Sequence, residues 1–189
     1  MKIPIEISAR HVHLSKRHLE ILFGKNYKLK PIKIISQPGQ FAANEEVELI
    51  NKNKKLKARV IGPVRNKTQI EISITDSYYL KLKKTPPINL SGGLKNSEGI
   101  IIKGSKEKIK TTGLIIAERH LHLSEQEAKK LNLKNNQKVK IRVKGKRGLI
   151  FENVIIRAGK RHKLAFQIDT DEANAAGINK KSYGELIIN

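Results

Sequence analysis

The frame Arg-His-x-His-Leu-Ser occurs twice in this chain. It appears first within Ile7-Ser8-Ala9-Arg10-His11-Val12-His13-Leu14-Ser15, then within Ile116-Ala117-Glu118-Arg119-His120-Leu121-His122-Leu123-Ser124. A repeat of this kind in 189 residues implies two pseudo-equivalent halves, although two copies do not make a solenoid. On an extended segment, residues i and i+2 project from the same face, so each copy can aim two imidazoles at one point. The two pairs use four of the six histidines. Two neutral imidazoles are a common half of a zinc site, which a carboxylate or a third histidine completes while leaving one position open. A lone His-x-His is a weak signal, as readily a chance pair on a polar strand face. Its recurrence inside a longer frame favours metal binding.

Each frame also opens a short helix. Ser15 and Ser124 suit the N-cap position, and Leu19, Leu22 and Phe23, or Ala128 and Leu131, supply an apolar stripe. Gly24 can stop the first helix. The rest reads as strands and turns. Val47–Ile50, Leu56–Ile61, Gln69–Ile74, Val139–Val143 and Val154–Ile156 are short, β-branched and partly alternating. Pro38-Gly39, Gly62-Pro63, Ser91-Gly92-Gly93 and Gly145-Lys146-Arg147-Gly148 mark turns. The expected fold is mainly β: two small β-barrels related by the internal repeat and capped by short α-helices.

Net charge is the strongest compositional bias. With 39 Lys+Arg against 17 Asp+Glu the chain carries +22, a field that attracts nucleic acid, anionic membrane or phosphorylated small molecules. The basic residues are mostly lysines scattered through stretches that read as loops, such as Asn51–Lys57 and Lys103–Lys110. Aromatics are only 4%, which gives nucleic-acid bases few stacking platforms. The chain has no cysteine, which excludes disulfides, thiolate ligands and a cysteinyl intermediate. No apolar run approaches membrane-spanning length and the first residues read as a strand rather than a signal peptide, so the expected location is cytoplasmic.

Each histidine pair needs a third ligand. In the first half Glu71 stands on a strand of alternating pattern within Arg65–Ser73, where it is either that ligand or a surface carboxylate facing lysines. The matching segment of the second half is Leu164-Ala165-Phe166-Gln167-Ile168-Asp169-Thr170-Asp171. His162, in the basic run Lys160-Arg161-His162-Lys163, reads as a loop residue rather than as a rescuing ligand for the second pair.

Over nearly its whole length the chain resembles the PduL-type phosphotransacylases, the phosphate propanoyltransferases. The resemblance is carried by Ser8–Leu14, Gln37-Pro38-Gly39-Gln40-Phe41-Ala42, Gly62-Pro63-Val64-Arg65, Thr68–Ser73, Ser91-Gly92, Arg119–His122 and Asp169–Ala175, in the family's order. It implies an interleaved topology, with one barrel from residues 10–117 and the other from 118–189 completed by strand 1–9. It also implies two zinc ions, the first on His11, His13 and Glu71, the second on His120, His122 and a histidine at position 167. Here position 167 is Gln167. An amide oxygen is a poorer zinc ligand than imidazole. The second site is therefore expected to be weaker, to be completed by water or phosphate, or to fill only with substrate present.

By the same resemblance Arg65 binds phosphate and Asn174 lines the coenzyme A site. The implied reaction is reversible transfer of an acetyl or propanoyl group between coenzyme A and inorganic phosphate. The implied assembly is a homodimer, and acetate metabolism is the expected setting because no microcompartment-targeting extension precedes the first strand. The alternative from another class is a basic, zinc-stapled β-barrel that binds nucleic acid, with tight and salt-sensitive association.

Overall fold

The computed structural model describes residues 1–179 and 182–187. The chain opens on β1 (Lys2–Ser8) and passes within three residues into β2 (His11–His13), which carries the first histidine pair. Helix α1 (Lys16–Phe23) follows at once. Its N-cap Ser15 accepts from the His18 backbone N–H, Leu19, Leu22 and Phe23 are buried, and Gly24 ends it at φ 116°. Next come β3 (Pro31–Ile34), β4 (Phe41–Asn51), β5 (Lys54–Gly62) and β6 (Gln69–Glu71).

Helix α2 (Ile74–Tyr79) then leads through β7 (Ile88–Asn89) to β8 (Glu98–Lys103) and β9 (Lys108–Ala117). The second histidine pair lies on β10 (His120–Leu123) and is followed by α3 (Glu125–Lys130), whose N-cap is Ser124. The chain closes through β11 (Lys138–Val143), β12 (Leu149–Ala158), β13 (Ala165–Asp169), α4 (Thr170–Ala175) and β14 (Tyr183–Ile187).

Two compact units result. One comprises Met1–Ser8, Ser36–Pro38 and Glu118–Asn189, and the other Ala9–Ile35 and Gly39–Ala117. In the first, strands close in the ring β1-β13-β10-β12-β11-β14. In the second, β9, β6, β2, β5, β4 and β8 pair in turn, and β8 closes the ring on β9. The fold is thus mainly β, with two closed six-stranded barrels among the described residues.

The two rings share one pairing pattern. β1 is parallel to β13, β13 antiparallel to β10, and β10 parallel to β12. Likewise β9 is parallel to β6, β6 antiparallel to β2, and β2 parallel to β5. The remaining pairs of both rings are antiparallel. By this correspondence β1 plays in one unit the part β9 plays in the other. Each of these strands leads directly into the histidine strand of the opposite unit, so the chain crosses between units at both frames.

Each ring surrounds its own apolar core. Val12, Leu14, Leu49, Val60, Ile70, Ile102 and Leu114 fill one, and Ile3, Leu121, Ile141, Ile156 and Phe166 the other. Each such side chain contributes about 1.5–3 kcal/mol by leaving water.

The basic stretches Asn51–Lys57 and Lys103–Lys110, expected as loops, are hairpin turns with strand on both sides. Asn51 pairs with Lys54, and Lys103 with Lys108. Alternation explains this, because lysines take the outward positions while Leu56 and Ile109 pack against the core. The expected strand Gln69–Ile74 is also shorter, ending at Glu71. Ser73 and Asp76 form a capping box there, each side chain bonding the other's backbone N–H, and this starts α2 at Ile74. Similarly α4 is capped by Asp169, whose side chain accepts from the Glu172 backbone N–H.

Candidate active site

The arginine of each frame has the same task. Arg10 clasps Asp76 with Nε at 3.0 Å from both carboxylate oxygens and Nη2 at 2.8 Å from Oδ1. Arg119 reaches Glu172 at 3.1 Å. Asp76 and Glu172 both occupy the third position of capping boxes. Each arginine therefore ties its histidine strand to the helix that follows the neighbouring strand. Burial pushes Glu172 up to about 7, against the Asp169 backbone bond and the charge of Arg119.

β2 lies antiparallel to β6 with His11 opposite Glu71 and His13 opposite Gln69. His11 Nδ1 is 2.9 Å from the Ala9 carbonyl, and His13 Nδ1 is 3.0 Å from the Ile61 carbonyl. A carbonyl oxygen only accepts, so both Nδ1 atoms carry the proton and both Nε2 lone pairs are available to a metal. His11 Nε2 is 3.6 Å from Glu71 Oε2, and the three ligand atoms lie within 4.8 Å of one another. Two nitrogens on a tetrahedral zinc sit roughly 3.3 Å apart, so the cluster fits a His-His-carboxylate site. It is the one such group among the described residues.

Charge agrees with that fit at Glu71 and His13, whereas His11 must give up to a metal the proton that Glu71 favours. Burial pushes Glu71 up, but His11, through charge and a hydrogen bond, then His13 and Ser91, outweigh it and hold the carboxyl well below its usual range. Burial likewise pushes His11 down, and Glu71 outweighs it so that His11 is raised. His13 is lowered to about 3 by burial, then by the charges of His11 and Arg65.

A polar chain runs from this cluster to Arg65. Gln69 Nε2 donates to Glu71 Oε1 and, at 2.8 Å, to Ser91 Oγ, which also accepts from Arg65 Nη1 at 3.2 Å. The amide of Gln69 has a defined orientation, because its Oε1 accepts from the Gly92 backbone N–H at 2.7 Å. The Arg65 backbone N–H donates to the Leu14 carbonyl at 2.9 Å, which pins the arginine beside the end of the histidine strand. Gln69 and Ser91 were not picked out as site residues from sequence. Gln69 bonds Glu71 two residues on, but the Ser91 and Arg65 contacts that complete the chain lie more than twenty residues away.

The second pair is built alike with two differences. His120 stands opposite Gln167, as His11 stands opposite Glu71. His120 Nδ1 is 2.8 Å from the Glu118 carbonyl, and the two Nε2 atoms of His120 and His122 are 3.1 Å apart. By register, the carbonyl equivalent to that of Ile61 belongs to Arg157. His162 Nδ1 takes that carbonyl at 2.8 Å, and His122 Nδ1 lies 3.3 Å from His162 Nδ1 instead. His162 is a loop residue as expected, and its contact with His122 carries no sequence signal beyond a basic run. Burial, then the charges of His120, His162 and Arg157, lower His122 to about 3.

Asn174 is exposed on α4, in the same unit as the second pair. No helix among the described residues is long and apolar enough to cross a membrane.

Acid should destabilise the chelated protein. His13 and His122 fold neutral with pKa values near 3, whereas an unfolded histidine binds a proton below about 6.5. Their contribution is complete above about pH 6.5 and is lost as pH falls from there towards 3. At pH 5 the loss is about 2 kcal/mol for each, partly offset by His11, whose shift has the opposite sign. Melting temperatures at pH 7 and pH 5 measure this directly, and an unchanged value would contradict the neutral burial of both rings.

Residues 4–179 match the family described as phosphate propanoyltransferase. A phosphate propanoyltransferase of Alkaliphilus metalliredigens is 40% identical over 189 residues, covering 99% of this chain and 88% of that protein. That of Thermotoga maritima is 44% identical over 188 residues, covering 98% and 87%. That of Priestia megaterium is 46% identical over 186 residues, covering 97% and 85%.

Proposed function

We propose, from the premise that the chain belongs to the phosphate propanoyltransferase family and is a phosphate acyltransferase, that it moves a short acyl group reversibly between coenzyme A and inorganic phosphate with zinc at His11, His13 and Glu71. The observation that carries this reading is the convergence of His11, His13 and Glu71, joined to Arg65 through Gln69 and Ser91. A phosphate oxygen attacks the thioester carbonyl carbon, the C–S bond breaks, and coenzyme A leaves as the thiolate. The products are acyl phosphate and coenzyme A, and no acyl-enzyme on cysteine is formed, because the chain has none.

Zinc bound there would supply Lewis-acid polarisation of the carbonyl or stabilisation of the leaving thiolate. Arg65 presents a guanidinium fork that matches two phosphate oxygens, offsets the repulsion between anions and holds the nucleophile near the carbon. The ionised Glu71 and the neutral His13 are already in the protonation states that a metal requires. Asn174 is assigned to the coenzyme A site. The +22 charge gathers both anionic substrates, an effect that falls with salt. Each compact unit is assigned as one domain, the second zinc is assigned to His120 and His122, and the working form is a cytoplasmic homodimer.

The test is coenzyme A-dependent consumption of acetyl phosphate by the protein as isolated, after chelation and after zinc is restored. Activity lost with the metal and recovered with zinc is expected. Inactivity with both acetyl and propanoyl phosphate, in folded and zinc-loaded protein, would overturn the reading.

A further inference from the structure

The two units place their carboxylates on different strands. In one, Glu71 on β6 faces His11 and its parallel neighbour on β9 is the apolar Ile115. In the other, Gln167 on β13 faces His120 and its parallel neighbour on β1 is Glu6. The acid is displaced by one strand, and it is bonded to the amide that stands in the ligand position. Gln167 Nε2 donates to Glu6 Oε2 at 3.0 Å, and Ser36 Oγ donates to the same oxygen at 2.6 Å.

An amide side chain is ambiguous as a metal ligand, because only one of its two ends can coordinate. An ionised carboxylate accepts and cannot donate, so Glu6 can hold only the NH2 end of Gln167. Oε1 is thereby turned away from Glu6. The Gln167 side chain is also within hydrogen-bonding reach of His122, whose Nε2 lies 3.1 Å from that of His120.

We propose that Glu6, itself held by Ser36, is a positioning residue that orients Gln167 so that its Oε1 completes a His120–His122–Gln167 site for a divalent cation. This rests on the reading of both histidine pairs as zinc sites. The bond from Glu6 does for the amide what a carboxylate behind a histidine ligand does for an imidazole. It fixes the orientation and increases the electron density on the coordinating atom. The second site is then a weaker site of defined geometry.

The experiment is a zinc titration of the full chain against a competing chelator, with His120→Ala identifying the step that belongs to the second pair. Glu6→Ala is expected to weaken that step about 10–100-fold, leaving the first step and the melting temperature of the chelated protein unchanged. In a Gln167→Ala background Glu6→Ala should weaken it no further, because Glu6 acts only through the amide. With cobalt(II) in place of zinc, Glu6→Ala should alter the visible absorption bands of the second site, and Gln167→Ala should alter them in the same way.

Three results would overturn the proposal: an unchanged second step in Glu6→Ala, a full loss that persists in the Gln167→Ala background, or wild-type protein that takes up zinc only at the first pair. Protein that takes up no zinc at either pair would instead sink the proposed function itself, so the two failures are distinguishable.

Discussion

Arg65→Ala is expected to lower phosphate-dependent turnover by about 10²–10³-fold, the effect of losing one pre-organised donor aimed at developing charge. The loss should fall on the step that uses phosphate. Arg65 is anchored through its backbone to Leu14 and through Nη1 to Ser91, so its side chain is held near the His11–His13–Glu71 cluster in a set direction. Truncation removes both a charge and a two-pronged donor. Arg65→Lys keeps the charge and loses the fork, so it should fall between wild type and alanine.

There is a side effect to separate. The charge of Arg65 lowers the pKa of His11 and His13. Its removal makes both rings easier to protonate and metal binding more sensitive to acid. The comparison therefore belongs at saturating zinc and at pH 7.5 or above. Under those conditions the KM for phosphate should rise while zinc content is unchanged. Full phosphate-dependent turnover by Arg65→Ala would remove Arg65 from the site.

How much of this was written in the sequence depends on the range of each interaction. The repeated frame located both histidine strands, and period-two geometry correctly implied that both rings of each pair project together. Glu71 stood out as a carboxylate on a short, alternating segment, and the family resemblance singled it out as the third ligand. The crossing of the chain between units was not visible in periodicity. β1 and β9 serve rings whose other strands lie far away in sequence, and no local pattern encodes a partner. β9 was hidden further by its composition, since Lys108, Lys110, Thr111, Thr112 and Gly113 precede its apolar end. Gln69, Ser91 and Glu6 were missed, and the contact of His162 with His122 was not foreseen, for a shared reason. Each makes a bond to a residue that only the fold brings near: Gln69 to Ser91, His162 to His122 and Glu6 to Gln167. Composition sees Glu6 as one acid among 17 acidic residues, whereas register sets it beside Gln167.

The contrast between Glu71 and Gln167 yields the sharpest test of the first site. Glu71→Gln gives the first pair the same ligand types as the second, yet it should release the metal where the second pair retains it. Gln69 Nε2 donates to Glu71 Oε1, and Gln69 cannot turn its oxygen there instead, because Gly92 and Ser91 fix its amide. A glutamine at 71 would place its only oxygen against that donor, leaving its NH2 to face His11. An NH2 group has no lone pair to offer a metal. No carboxylate stands on the neighbouring strand to reverse it, since the residue paired there is Ile115. Removing a direct ligand should weaken zinc at His11 and His13 by more than the 10–100-fold typical of an outer partner, and turnover should fall with it. The measurements are zinc content under chelator competition and acetyl phosphate consumption. Glu71→Asp keeps a carboxylate of shorter reach and should retain more metal than Glu71→Gln. If Glu71→Gln held zinc as tightly as wild type, amide orientation would not govern either site, and the distinction between the two halves would lose its physical basis.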